Sequence, residues 1–263
     1  MTDLKPPAVR SERKGDTLWV WIDRAERRNA INGEVLAGIG AALEQSLADS
    51  SLRAVVLTGA GDKAFCAGAD LSDGPGTFQS AADVPTTDFG RLARLVRRVG
   101  VPLIARVNGA CIAGGMGLMA LCDLAIAAEH ARFGLPEVRV GVFPMQVLVL
   151  LRATVHARHL NQLCLTGEQI GAARAAEIGL INEVAAPGQL DARVEATIQQ
   201  LRLASPAAIR RGKHALFVLE HMAFEEAIAF AEAQITLASR SSDAAEGLQA
   251  FNEKRKPRWL GES

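Results

Sequence analysis

Two short segments of this chain carry residues with chemistry to do. Ala113-Gly114-Gly115-Met116-Gly117 is a glycine-rich run, and Phe133-Gly134-Leu135-Pro136-Glu137 ends on a carboxylate. A glycine-rich turn that opens a helix presents backbone N–H groups with no helical carbonyl to bond. A carboxylate placed near them can move a proton while the N–H groups hold a developing oxyanion. The lesser alternative for Glu137 in isolation is a charge at a helix N-terminus, stabilised by the helix dipole.

The elements that must position these residues alternate along the chain. Leu18-Trp19-Val20-Trp21-Ile22 reads as a strand from its aromatic and β-branched content. Asn32 caps a helix with an apolar stripe at Val35, Ile39, Leu43 and Leu47. Ala54-Val55-Val56-Leu57-Thr58 is a continuous apolar run, as in a strand covered on both faces, and Gly59-Ala60-Gly61-Asp62 turns the chain. Residues 72–88 are rich in Ser, Gly, Pro, Thr and Asp and read as a long loop, a length usually kept for function. A helix over 89–99, a strand over 102–107, a helix continuing through 118–122 and a strand over 124–128 follow. Strand, helix, strand, repeated, argues for an α/β domain. Past residue 145 the pattern is helical to the end. Gly179 is a helix stop; Leu190, Val194, Ile198 and Leu201 share one apolar face; Ser205-Pro206 starts a helix, and another spans 225–237.

The bulk properties exclude several classes. The 263 residues suffice for one large domain or a domain with an appendage. Lysines and arginines total 29 against 29 acids, so the chain lacks the basic excess of a nucleic-acid binder. Its one dense basic run, Lys254-Arg255-Lys256-Pro257-Arg258, reads by itself as a solvated helix end. No signal peptide is visible, and the longest apolar stretches fall well short of the ~20 residues that span a membrane. Cys66, Cys111, Cys122 and Cys164 lie in apolar segments without metal-ligand or C-x-x-C spacing. They read as small buried hydrophobes in a reducing, cytoplasmic compartment. No G-x-G-x-x-G follows a strand and no P-loop is present, which argues against a nucleotide-binding domain.

Six ordered patches resemble the crotonase (enoyl-CoA hydratase/isomerase) superfamily. They are Arg28-Asn29-Ala30-Ile31-Asn32, Ala64 through Leu71, Val107 through Asp123, Phe133-Gly134-Leu135-Pro136-Glu137 with Gly141 and Pro144, Leu165 through Leu180, and Asp243 through Pro257. The resemblance implies a spiral of ββα turns over residues 1–200. It also implies a C-terminal helical trimerisation region over 201–263, and a homotrimer or a dimer of trimers. The implied substrate is a coenzyme A thioester, with no separate cofactor and no metal, and the implied setting is fatty acid metabolism. Carried over by position, the N–H groups of Ala69 and Gly114 hold a thioester enolate and Glu137 is the general acid/base. Arg28 meets phosphate. Ala30, Ala67, Asp70 and Leu71 border the coenzyme, the backbone near Ala30, Ala67 and Leu71 reading its adenine. Lys254 or Lys256 reaches a phosphate, often on a neighbouring subunit.

The reaction is less fixed than the family. Hydratases of this kind commonly use two glutamates; the second corresponds to Glu137, and the first is here Gly117. One acid occurs in enoyl-CoA isomerases, where it shuttles a proton between two carbons. It occurs too in hydratases acting on branched-chain and methylglutaconyl-type acyl-CoA, whose Gly-Gly-x-Gly-Leu motif Gly114-Gly115-Met116-Gly117-Leu118 resembles. Hydration of a 2-enoyl-CoA is the favoured expectation, isomerisation of a 3-enoyl-CoA the alternative, and a non-catalytic acyl-CoA-binding subunit the third. Asp73, Asp83 and Asp88 lie in or beside the long loop and read as solvated residues that could fold over the site; His156 reads as a surface or helix residue. Met145-Gln146-Val147-Leu148-Val149-Leu150-Leu151 stands where relatives often carry several glycines. Phe143 and Met145 are expected near an apolar acyl pocket, and Gln146 could hold water.

Overall fold

The computed structural model describes residues 6–72 and 86–261. The chain enters through β1 (Val9–Lys14) and β2 (Thr17–Ile22), an antiparallel hairpin, and continues into α1 (Gly33–Ala48). Three turns of one pattern follow. The first is β3 (Ala54–Gly59), β4 (Ala64–Cys66) and α2 (Asp88–Val96). The second is β5 (Leu103–Val107), β6 (Ala110–Ile112) and α3 (Gly114–Ala120). The third is β7 (Leu124–Ala128), β8 (Arg132–Gly134), a 3-10 turn over Pro136–Val140 and α4 (Met145–Leu151). In each turn the first strand joins one sheet and the second strand joins another. This is the expected spiral of ββα turns.

Then come α5 (Ala157–Thr166), β9 (Gln169–Gly171), α6 (Ala172–Glu177), β10 (Glu183–Ala185) and α7 (Leu190–Leu203). The chain finishes with α8 (Pro206–Leu219), α9 (Phe224–Ser239) and α10 (Ser242–Asn252). The sheet orders are β1-β2-β3-β5-β7-β10 and β4-β6-β8-β9. Pairing is parallel except at β1–β2 and β8–β9.

The continuous apolar run of β3 has the expected cause. Val55 and Leu57 face the larger core, with α1, α2 and the second sheet, while Ala54 and Val56 pack under Leu190, Val194 and Ile198 of α7. Asn32 caps α1 by accepting the Val35 N–H at 3.0 Å, and Val35, Ile39 and Leu43 are buried; Leu47, at the end of the stripe, is exposed. Ser205 caps α8, accepting from Ala208 N at 3.0 Å. Gly179 takes φ +75° just after α6, as a helix stop requires.

The sequence reading missed β1 and the short strands. Most side chains of β1 are polar and exposed, yet it pairs along its whole length with β2, because edge strands tolerate exposed charged side chains. The region past residue 145 is not wholly helical. It includes β9 and β10, three residues each, too short to show a period. Helices α8 and α9 contribute no buried residue, and α10 buries only Ala250. Polar ties hold them to the core: Lys213 pairs with Asp123 at 2.6 Å, and Trp259 Nε1 donates to Leu203 O at 3.2 Å.

Candidate active site

Parallel pairing of β4, β6 and β8 sets their carboxyl ends side by side. Ligands of open parallel sheets gather at such ends. Ala69 follows the end of β4, Gly114 the end of β6 and Glu137 the end of β8, each by two or three residues. Residues 23 to 68 positions apart in sequence are gathered at these strand ends by strand order alone.

The two amides are locked by neighbouring contacts. Ile31 donates to Gly68 O and accepts from Asp70 N, both at 2.7 Å, as parallel strands do on either side of Ala69. That pattern turns the Ala69 N–H away from Ile31, and it has no partner among the described residues. Gly68 adopts φ +99°, and a β-carbon there would stand 2.9 Å from Ala113 Cβ and 3.7 Å from Gly114 N. Only glycine permits both the backbone angle and the approach. Ala113 holds φ +53° while its N–H donates to Gly134 O at 2.9 Å. A residue with a side chain carries strain of about 1–3 kcal/mol in such a conformation. The angle aims the next peptide, and Gly114 N–H, at the head of α3, is unpartnered among the described residues. A β-carbon on Gly114 would lie 3.9 Å from Ala69 N, so the two amides border one space.

Glu137 sits in the first turn of the 3-10 segment and is half-buried. Its Oε2 is buried with no hydrogen-bond partner among the described residues. Burial pushes its carboxyl above the ordinary glutamate range. The buried Cys164 thiol is pushed to about 11, first by burial and then by the Glu137 charge. A proton-hungry carboxylate on the strand end next to two amides that have no partner among the described residues is equipped for proton transfer at a carbon acid.

The remaining sequence candidates fall into two groups. Arg28, Ala30, Ala67, Asp70 and Leu71 share one edge of the site. Arg28, at φ +51°, extends into solvent while its carbonyl accepts from Ala67 N at 3.1 Å; Leu71 is exposed. Asp70 bonds Arg24 Nη2 at 2.8 Å and Ser72 N at 3.2 Å, and Arg24 holds its carboxyl down at about 2. Lys254 and Lys256 are exposed beyond α10, whose following turn packs on α7, across the six-stranded sheet from Glu137. Within one chain the structure does not bring those lysines to the site.

Sequence reasoning missed Arg24. It is buried, and its Nη1 donates to Ala30 O at 2.6 Å, so it clamps the two loops that frame Ala69. An arginine in a run of charges gives no signal of burial. Asn29, in the first of the family-like patches, is a buried knot; its Nδ2 donates to Ala60 O at 3.0 Å and Ala64 O at 2.7 Å.

Around the acyl side the expectations need amendment. Met145 is 66% exposed, and Gln146 is exposed and donates to Thr87, the N-cap of α2. Phe143 is partly buried against the core. Asp88 pairs with Arg91 on α2, and Asp73 and Asp83 lie outside the described residues. His156 caps α5, accepting from Arg158 N at 3.4 Å. A cleft of about 450 Å³ holds Trp19, Trp21, Arg106 and Asp191, but lies on the α7 side of the sheet and includes none of these site residues. Among the described residues no three His, Cys, Asp or Glu side chains are grouped to hold a metal ion, and no helix is long and apolar enough to cross a membrane.

The same architecture recurs in known proteins. The enoyl-CoA hydratase/isomerase family profile matches residues 12–262. A putative enoyl-CoA hydratase of Thermus thermophilus is 36% identical over 249 residues, 94% of this chain and 98% of that protein. A short-chain-enoyl-CoA hydratase of Clostridium acetobutylicum is 32% identical over 93% of this chain and 94% of its own length. The crystal structure of an enoyl-CoA hydratase of Mycobacterium smegmatis superposes with TM-score 0.89 at 33% identity, over 96% of this chain and 99% of that one. The match runs through the strand ends that set the two amides beside Glu137, and the chain therefore belongs to the enoyl-CoA hydratase/isomerase family.

Proposed function

We propose that this protein hydrates a 2-enoyl-CoA with a single carboxylate. The observation that carries the reading is Glu137 Oε2, buried and without a partner among the described residues, at the strand end next to those that carry the Ala69 and Gly114 amides, which also have no partner among the described residues. The thioester oxygen sits on the two amides. The Glu137 carboxylate takes a proton from water as the water oxygen bonds C3. The C2–C3 π electrons move onto the thioester as an enolate, held by the N–H pair. Glu137 then returns the proton to C2, so one water is added across the double bond and the carboxylate is regenerated.

The hydratase names of the Thermus and Clostridium proteins support this reading. In the same reading Arg28, Ala30, Ala67, Asp70 and Leu71 border the coenzyme, with Asp70 acting through its brace on Arg24. Lys254 and Lys256 serve a neighbouring subunit, and residues 201–263 are the trimerisation region of a cytoplasmic homotrimer or dimer of trimers. The metabolic setting is fatty acid breakdown or a related acyl-CoA route.

One observation favours a second reading. Phe89 and Val147 make the wall beside Gly117 apolar, and a dry wall suits isomerisation, in which Glu137 carries a proton from C2 to C4. Crotonyl-CoA and a 3-enoyl-CoA, assayed side by side by the absorbance of the conjugated thioester, separate the two. Loss of absorbance from crotonyl-CoA supports hydration. A gain from the 3-enoyl substrate, with crotonyl-CoA inert, selects isomerisation.

A further inference from the structure

Gly117 lies one helical turn past Gly114 on α3, so a side chain there would stand on the face that carries the oxyanion amide. A second acid on this side of the site would grow from that position. The space is already filled. A β-carbon on Gly117 would meet Phe89 Cζ at 2.8 Å and Val147 Cγ2 at 3.0 Å. Phe89 comes from the first turn of α2 and Val147 from α4, the helix that follows the Glu137 turn. Both are buried, at 9% and 5% exposure. Neither has a polar atom in its side chain.

We propose that Phe89, backed by Val147, is a specificity-determining residue that plugs the second-acid position and keeps that side of the acyl site dry. The one-carboxylate chemistry is then fixed by packing from two other helices, and not merely by the missing side chain at Gly117. The plug confines water to the Glu137 side and turns away acyl groups with a polar substituent toward α3. This rests on the acyl-CoA reading of the site.

The test is a set of substitutions read in two ways. G117E alone must displace an aromatic ring, so it lowers the melting temperature and slows crotonyl-CoA hydration at least tenfold. F89A/G117E has room for the carboxylate and hydrates crotonyl-CoA at least tenfold faster than either F89A or G117E. A G117E protein with wild-type melting temperature and rate overturns the proposal, as does a double variant no faster than F89A. The packing claim has its own readout in thermal unfolding. G117A destabilises the wild type but costs clearly less in the F89A background; equal costs in both overturn the plug. If no enoyl-CoA is turned over by any variant, the acyl-CoA reading fails, and the unfolding cycle still decides whether Phe89 fills the space.

Discussion

Glu137 works against stability in order to be reactive. Its carboxyl is raised by burial, so the folded protein favours the protonated form. An unfolded glutamate titrates near about 4.3. The stability tied to this group is therefore complete below that pH and declines as pH rises through the folded value. Glu137→Gln is isosteric and cannot ionise. Its melting temperature should exceed that of the wild type at pH 7 and match it near pH 4. Equal melting temperatures at both would mean that the carboxylate is solvated and unstrained. The same shift places the acid limb of wild-type kcat/KM above the ordinary glutamate range. Glu137 was legible in the sequence because Phe133-Gly134-Leu135-Pro136-Glu137 follows the glycine-rich run in the order that the family resemblance expects. Arg24 was not, since only the folded loops reveal that its guanidinium bridges Ala30 O and Asp70.

At the scale of elements, the site is a consequence of strand order. β4, β6 and β8 are three residues each, and no periodicity could announce them. Their parallel pairing nevertheless places Ala69, Gly114 and Glu137 together. The glycines were readable because a missing Cβ has a local meaning, as Gly68 shows at φ +99°. What fills the room beside Gly117 was not readable, since Phe89 and Val147 arrive from helices 28 and 30 residues away. Side-chain exchange cannot delete a backbone donor, but Gly68→Ala can misplace one. Its methyl would press on Ala113 Cβ and shift the Ala69 N–H. Loss of one oxyanion donor costs about 10²–10³ in kcat. That loss, with acyl-CoA affinity retained in a binding titration, is the expected outcome; unchanged kcat would remove Ala69 from the oxyanion site.

The C-terminal helices expose large apolar side chains. Leu216, Phe224 and Phe251 of the C-terminal helices are 77%, 75% and 81% exposed. Such faces mark interaction surfaces. If these helices assemble the trimer and Lys254 and Lys256 serve a neighbour, dissociation should also weaken coenzyme A binding. Light scattering should give three or six copies of the 27.9 kDa chain. The paired variant Leu216→Asp/Phe224→Asp should shift that mass downward, make the melting temperature depend on concentration, and raise KM for the acyl-CoA. A wild-type monomer with the same KM would contradict both the assembly and the shared lysines. The balanced charge argued against a nucleic-acid binder but could not show this surface, because the exposure of Leu216 and Phe224 is visible only once the helices around them are placed.

The most direct test of the account is crotonyl-CoA hydration by wild type and Glu137→Gln at neutral pH, with coenzyme A binding measured in both. One carboxylate and two amides predict fast loss of conjugated absorbance in the wild type. They also predict a fall of about 10²–10⁴ in kcat for the variant, with binding intact. A Glu137→Gln enzyme that hydrates crotonyl-CoA at the wild-type rate would contradict it.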